Sequence, residues 1–123
     1  MAEINKAIIV MAEVVRGDML DRAYLMTHNL DVTGKTFYAE VREDMDADIV
    51  LKFGEDEEAS FADVISDTSI IIRFKKAASE MNINPALYQL SVVMGTAPDY
   101  EDKQTIIRGT MTVVKEITQK PTV

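Results

Sequence analysis

The chain has 123 residues, 47% of them apolar and 28% charged, a composition that favours one globular domain over a disordered segment. Its net charge of −8, from 21 acidic and 13 basic residues, lacks the basic footprint that general nucleic-acid binding requires. No cysteine is present, which excludes a disulfide framework and thiolate metal sites.

The N-terminal stretch MAEINKAIIVMAEVV carries no basic n-region, and Glu13 interrupts its apolar run, so neither a signal peptide nor a membrane span is expected. Residues 7–15 are rich in β-branched side chains and predict a first strand, closed by a turn at Arg16, Gly17 and Asp18. Residues 19–28 predict a second strand whose facing is open, because Leu20, Tyr24 and Met26 compete with Ala23 and Leu25 for the core. The turn NLDVTG follows, with Gly34 free to take a positive φ. In residues 35–43 Phe37, Ala39 and Val41 alternate with Tyr38, Glu40 and Arg42, the period-2 pattern of a half-buried strand.

Ile49, Leu51 and Phe53 predict a fourth strand ending at Gly54. Residues 55–67 read as an acidic loop anchored by Phe61, Val64 and Ile65. Ile70, Ile72 and Phe74 place a fifth strand, and residues 75–82 offer about two turns of good helix formers before Asn84-Pro85 stops them. Residues 86–95 and 105–117 predict the last two strands. In the final one Ile107, Met111 and Val113 share a face, Arg108, Thr110 and Thr112 face outward, and Gly109 marks a bulge or a close backbone approach. Met26, Met94 and Met111 are expected to point inward as core filler. The whole reads as one all-β domain over 1–123 with a polar tail from about 118, an antiparallel sandwich of about seven strands with one short helix near 75–82; a small barrel is the all-β alternative.

Several landmarks occur in order: RGD after the first strand, LDVTGKTFYAEVR, IIIRFKKAASEMNINPALYQLSVVMG, and the closing TIIRGTMTVVKEIT. Together they resemble the immunoglobulin-like N-terminal domain of phage baseplate upper proteins and related tail-fibre modules, over roughly residues 8–118. The resemblance implies an immunoglobulin-like sandwich and a structural role in a virion assembled in a bacterial host cytoplasm. It also implies docking onto other virion proteins and homo-oligomerisation; from the charge and the N-terminal pattern, no nucleic-acid or membrane partner is expected. Family members usually continue into a fibre or receptor-binding segment, whereas this sequence stops at Val123, and its 55–67 segment is longer and more acidic than the family's hairpin. The expectation is therefore a stand-alone assembly or adaptor subunit of tail, baseplate, collar or head decoration.

No catalytic, cofactor or metal residue is nominated, because the single histidine, His28, has no nucleophile or second ligand in any recognisable spacing. His28 is expected to lie exposed at a strand end. RGD matches an integrin-binding tripeptide, but a tight turn accounts for it. Asp44, Asp46, Asp48 and Glu55 fall at positions 1, 3, 5 and 12 of a calcium-loop pattern, yet Ile49 stands where that loop needs glycine. A looser surface calcium site, and contact of the acidic run 54–60 with a basic partner, stay open, and a calcium- or carbohydrate-binding sandwich is the alternative function. Tyr38, Tyr88 and Tyr100 are the aromatic candidates for an interface.

Overall fold

The computed structural model describes residues 2–3, 8–44, 46–54 and 61–116. Nine strands lie among them: β1 (Ala2–Glu3), β2 (Ile8–Val15), β3 (Leu20–Thr27), β4 (Thr36–Arg42), β5 (Ile49–Gly54), β6 (Ala62–Ser66), β7 (Ser69–Lys76), β8 (Ala86–Gly95) and β9 (Gln104–Val114). They form two sheets, one ordered β1-β3-β7-β6 and the other β2-β9-β8-β4-β5. This is the immunoglobulin-like arrangement: a four-stranded sheet faces a sheet built on the later strands and widened by one strand at the β4 side.

Alternation decides which side chains meet between the sheets. Phe37, Ala39 and Val41 of β4 are buried, as are Ile70, Ile72 and Phe74 of β7 and Ile107, Met111 and Val113 of β9. In β3 the competition resolves toward Leu20, Tyr24 and Met26, while Leu25 lies on the outer surface. Met26, Met94 and Met111 all point inward. Phe53, Phe61 and Phe74 meet in the middle of the core, with ring centroids 5.1 to 6.3 Å apart.

Tyr88, near the start of β8, donates its hydroxyl to the Asn84 carbonyl at 2.5 Å. That bond back to a residue just upstream is the tyrosine corner of immunoglobulin-like sandwiches. Burial holds the Tyr88 hydroxyl above its ordinary pKa, with the Glu43 charge adding to the effect. Two residues further, where antibody domains carry a cysteine, stands the buried Leu90.

The sandwich differs from the sequence expectation in three places. Segment 55–67 is not all loop: β6 occupies Ala62–Ser66 and pairs with β7, although Val64 and Ile65 are exposed and only Phe61 is anchored. The sheets are not wholly antiparallel, since β1 runs parallel to β3 and β2 parallel to β9. The expected helix over 75–82 is reduced to a single 3-10 turn, Ala78–Glu80. Lys75 and Lys76 are taken by β7, where they pair with Asp21 and Leu20, and tertiary pairing outweighs a weak local preference.

The parallel pairing of β2 with β9 depends on Gly109. A Cβ there would stand 2.1 Å from the Ile9 carbonyl oxygen. Gly109→Ala should therefore push β2 off the sheet and destabilise the domain by a few kcal/mol (about 2–4), read as a lowered midpoint in denaturant unfolding. Tyr88→Phe should cost about 0.5–1.5 kcal/mol by removing the bond to the Asn84 carbonyl, with the same measurement and no change of fold by circular dichroism.

Candidate functional site

The outer face of the five-stranded sheet gathers the most chemistry. Its order makes β8 the central strand, with β9 and β2 on one side and β4 and β5 on the other. The registers stack outward side chains in cross-strand rows. Ile8, Arg108, Ser91, Glu40 and Lys52 form one row; Val10, Thr110, Gln89, Arg42 and Ile49 form the next. Ser91 is short while Arg108 and Glu40 are long, so the middle of the face is a trough along β8. The trough has a volume of about 230 Å³, with Gln89 and Ser91 at its floor, Thr105 and Arg108 on the β9 bank, and Glu40, Arg42 and Asp44 on the β4 bank.

Charges on the two banks differ in how they are used. Arg42 donates to the Ala47 carbonyl at 2.8 Å and pairs with Glu40 at 3.3 Å. Arg108 is exposed and makes no hydrogen bond or ion pair among the described residues. Asp44 accepts the Asp46 amide at 2.8 Å but has no ion pair among the described residues. The face is flanked by apolar side chains at both edges: Ile8 (72% exposed) and Val10 (64%) on β2, Ile49 (39%) and Val50 (37%) on β5.

The end of this face is closed by the loop between β8 and β9. Tyr100 folds back against Tyr38, ring centroids 5.1 Å apart and nearly perpendicular. Lys35 pairs with Asp102, which also accepts the Thr96 amide at 2.8 Å and the Thr96 hydroxyl at 2.6 Å. The Lys35 ammonium, then the Thr96 hydroxyl and amide, hold the Asp102 carboxyl far below the usual carboxylate range.

The residues singled out from sequence are dispersed. Tyr38 and Tyr88 are not interface side chains: Tyr38 is covered by Tyr100 and Tyr88 is committed to the corner. Tyr100 alone of the three is half-buried. His28 is not exposed but buried, and both ring nitrogens are used: Nδ1 accepts the Leu30 amide at 3.3 Å, so Nε2 carries the proton and donates to the Ser66 carbonyl at 3.1 Å. The ring ties the end of β3 to the β6–β7 turn.

The RGD stretch is a structural turn. Gly17 has φ 83° and donates its amide to the Met81 carbonyl at 3.0 Å, while Arg16 Nε donates to Asn82 Oδ1 at 3.0 Å. Asp44 and Asp46 form a tight turn in which the Ala47 amide also bonds the Asp44 carbonyl, and β5 begins at Ile49. Glu55 and most of the acidic run 54–60 lie outside the described residues. Among the described residues, no group of three or more histidine, aspartate or glutamate side chains is arranged to hold a metal ion. No helix among them is long and apolar enough to cross a membrane.

The sequence pattern does not show the trough, although it places Arg108, on the β9 bank, facing outward. In comparisons with known proteins, no family model matches the sequence and no curated protein matches it.

Asp102 provides a test of the loop. Its folded-state pKa is depressed, so the stability it contributes is present above the ordinary value of 3.8 and is lost as pH falls below it. Thermal melts between pH 5 and pH 2.5 should show a steeper fall for the unaltered protein than for Asp102→Asn, which should already be less stable at pH 5 and flatter below it.

Proposed function

We propose that this chain is an assembly module, an immunoglobulin-like subunit of a phage virion that docks other virion proteins and copies of itself through the outer face of its five-stranded sheet. The single observation that supports this reading most is the pair of apolar flanks on that face, Ile8 and Val10 at one edge and Ile49 and Val50 at the other. Outward positions of a solvated sheet normally carry polar side chains, and apolar ones grouped on one face are the mark of a contact surface. The virion setting rests on the resemblance of the RGD, LDVTGKTFYAEVR and TIIRGTMTVVKEIT stretches to phage baseplate modules.

Binding on such a face draws on desolvation of the apolar flanks, and the polar trough between them sets which partners fit. Mass spectrometry of purified particles should find the chain at stoichiometric abundance. The doubly substituted Ile8→Lys/Val10→Lys protein should fold normally, because both side chains already face water, yet fall out of the particle or bind at least about tenfold more weakly. Absence of the unaltered chain from particles would remove this reading.

A further inference from the structure

We infer that the ladder between β2 and β9 is a mechanical clamp, so that the domain bears tension passed along its own chain, from a holding point before β2 to one after β9. The inference rests on strand topology and is independent of the docking proposed for the outer face of the sheet.

The argument is one of direction. In the five-stranded sheet β2 comes first along the chain and β9 last, and the two are neighbours that run parallel. Their register sets Ile8 beside Arg108 and Val15 beside Val114. The point where the chain enters β2 and the point where it leaves β9 therefore lie at opposite ends of the shared ladder, about 20 Å apart at the usual rise of a strand. Tension between those points pulls the two strands in opposite senses along their own axes. Each rung is weak alone, but in this geometry all of them carry load at once and must break together. Had the strands run antiparallel, both points would lie at one end, and the rungs would open one at a time.

The load has to pass through this ladder. Among the described strands β2 pairs with β9 alone, whereas β9 is also held by β8 on its other side. Ahead of β2, β1 is joined to β3 over only two residue pairs, too short a stretch to stop a sustained pull. Six residue pairs join β2 to β9, from Ile8 to Met11 and again at Val14 and Val15, and the Arg16 amide adds a rung to the Val114 carbonyl at 3.0 Å. Sliding is opposed as well. Ile9, Met11 and Val14 are buried, so movement along the strand axis drags three side chains out of their packing. The turn that follows is fastened to the body of the domain by the Gly17 amide, which donates to the Met81 carbonyl at 3.0 Å.

The test is single-molecule force spectroscopy of the full chain carrying Arg108→Cys, pulled at one speed in two geometries. In the first, handles are fused at the two chain termini. In the second, the N-terminal handle is kept and the other is attached to the introduced thiol, which is unique because the chain has no cysteine of its own. Arg108 is exposed and stands directly opposite Ile8, so the second pull acts across the end of the ladder and peels β2 away rung by rung. Forced unfolding reads the unfolding barrier and not the equilibrium stability, so one folded domain should give two different answers. The pull on the termini should need the clearly higher force.

Gly109→Ala, whose added methyl would stand 2.1 Å from the Ile9 carbonyl oxygen, should abolish that excess in the terminal pull. Equal forces in the two geometries overturn the proposal, and so does a Gly109→Ala chain that folds and keeps the full terminal force. Should Gly109→Ala fail to fold, the two pulls of the Arg108→Cys chain decide on their own. Neither pull involves a second protein. A chain found in particles but without excess force would sink the clamp while leaving the assembly role standing, and a clamped chain absent from particles would do the reverse.

Discussion

The contact on which the sandwich depends is the meeting of Phe53, Phe61 and Phe74. Phe53 comes from β5 in one sheet and Phe74 from β7 in the other, and Phe61 enters just ahead of β6. Phe74 stands edge-on to both of the others, with centroids 5.1 and 5.5 Å away. Aromatic pairs of this geometry contribute about 0.5–1.5 kcal/mol beyond the area they bury. In antibody domains a disulfide joins the two sheets. Here there is no cysteine, and Leu90 fills that place on β8. Cohesion between the layers is thus entirely non-covalent, and the fold needs no oxidising environment to complete it. Lys76 extends the cluster: its stem is buried and its ammonium lies 5.0 Å from the centre of the Phe53 ring, so the charge rests over an aromatic face.

With the layers fixed, the backbone rather than the side chains sets the outer face. The N-terminal strand is divided between the sheets, β1 joining β3 and β2 joining β9. Gly109 lets the β2 carbonyls come close enough to pair, and this puts Ile8 beside Arg108 and Val10 beside Thr110. A bulge between Met11 and Val14, with Glu13 at φ 55°, then turns the strand so that Val14 still reaches the core. A residue with no side chain at all therefore determines which side chains share a surface on the opposite side of the sheet.

What could be read from the sequence follows from the range of the forces involved. Phe37/Ala39/Val41 and Ile70/Ile72/Phe74 announce themselves because strand alternation is local and burial enforces it. The β6 strand does not, since Val64 and Ile65 remain exposed and the segment is held by backbone pairing to β7, a partner that local pattern cannot reveal. The helix expected over 75–82 was a correct reading of propensity overruled by the β3–β7 ladder. The exposed position expected for His28 and the interface role expected for Tyr38 fail for the same reason: the Ser66 carbonyl that accepts the His28 hydrogen bond, and the Tyr100 ring that covers Tyr38, arrive from distant parts of the chain. The trough is the extreme case. Arg108 and Thr110 were legible as outward, but their rows across β8 to Glu40 and Arg42 exist only once three registers are set together.

The same geometry bears on how a surface with apolar flanks avoids indiscriminate association. β2 and β5 are both edge strands, and an open edge carrying Ile8, Val10, Ile49 and Val50 invites pairing with any extended chain. The Glu13 bulge breaks the regular hydrogen-bonding edge of β2, and the register shift between Val41 and Arg42 does so where β5 begins. Edge-to-edge growth is thereby disfavoured on both sides, and the apolar residues remain usable only by a partner that approaches the face. Such a partner must also cross the polar trough, where an unmatched charge opposite Arg108 or Asp44 would be desolvated without compensation. On the proposed assembly reading, the flanks would supply attraction and the trough discrimination between partners.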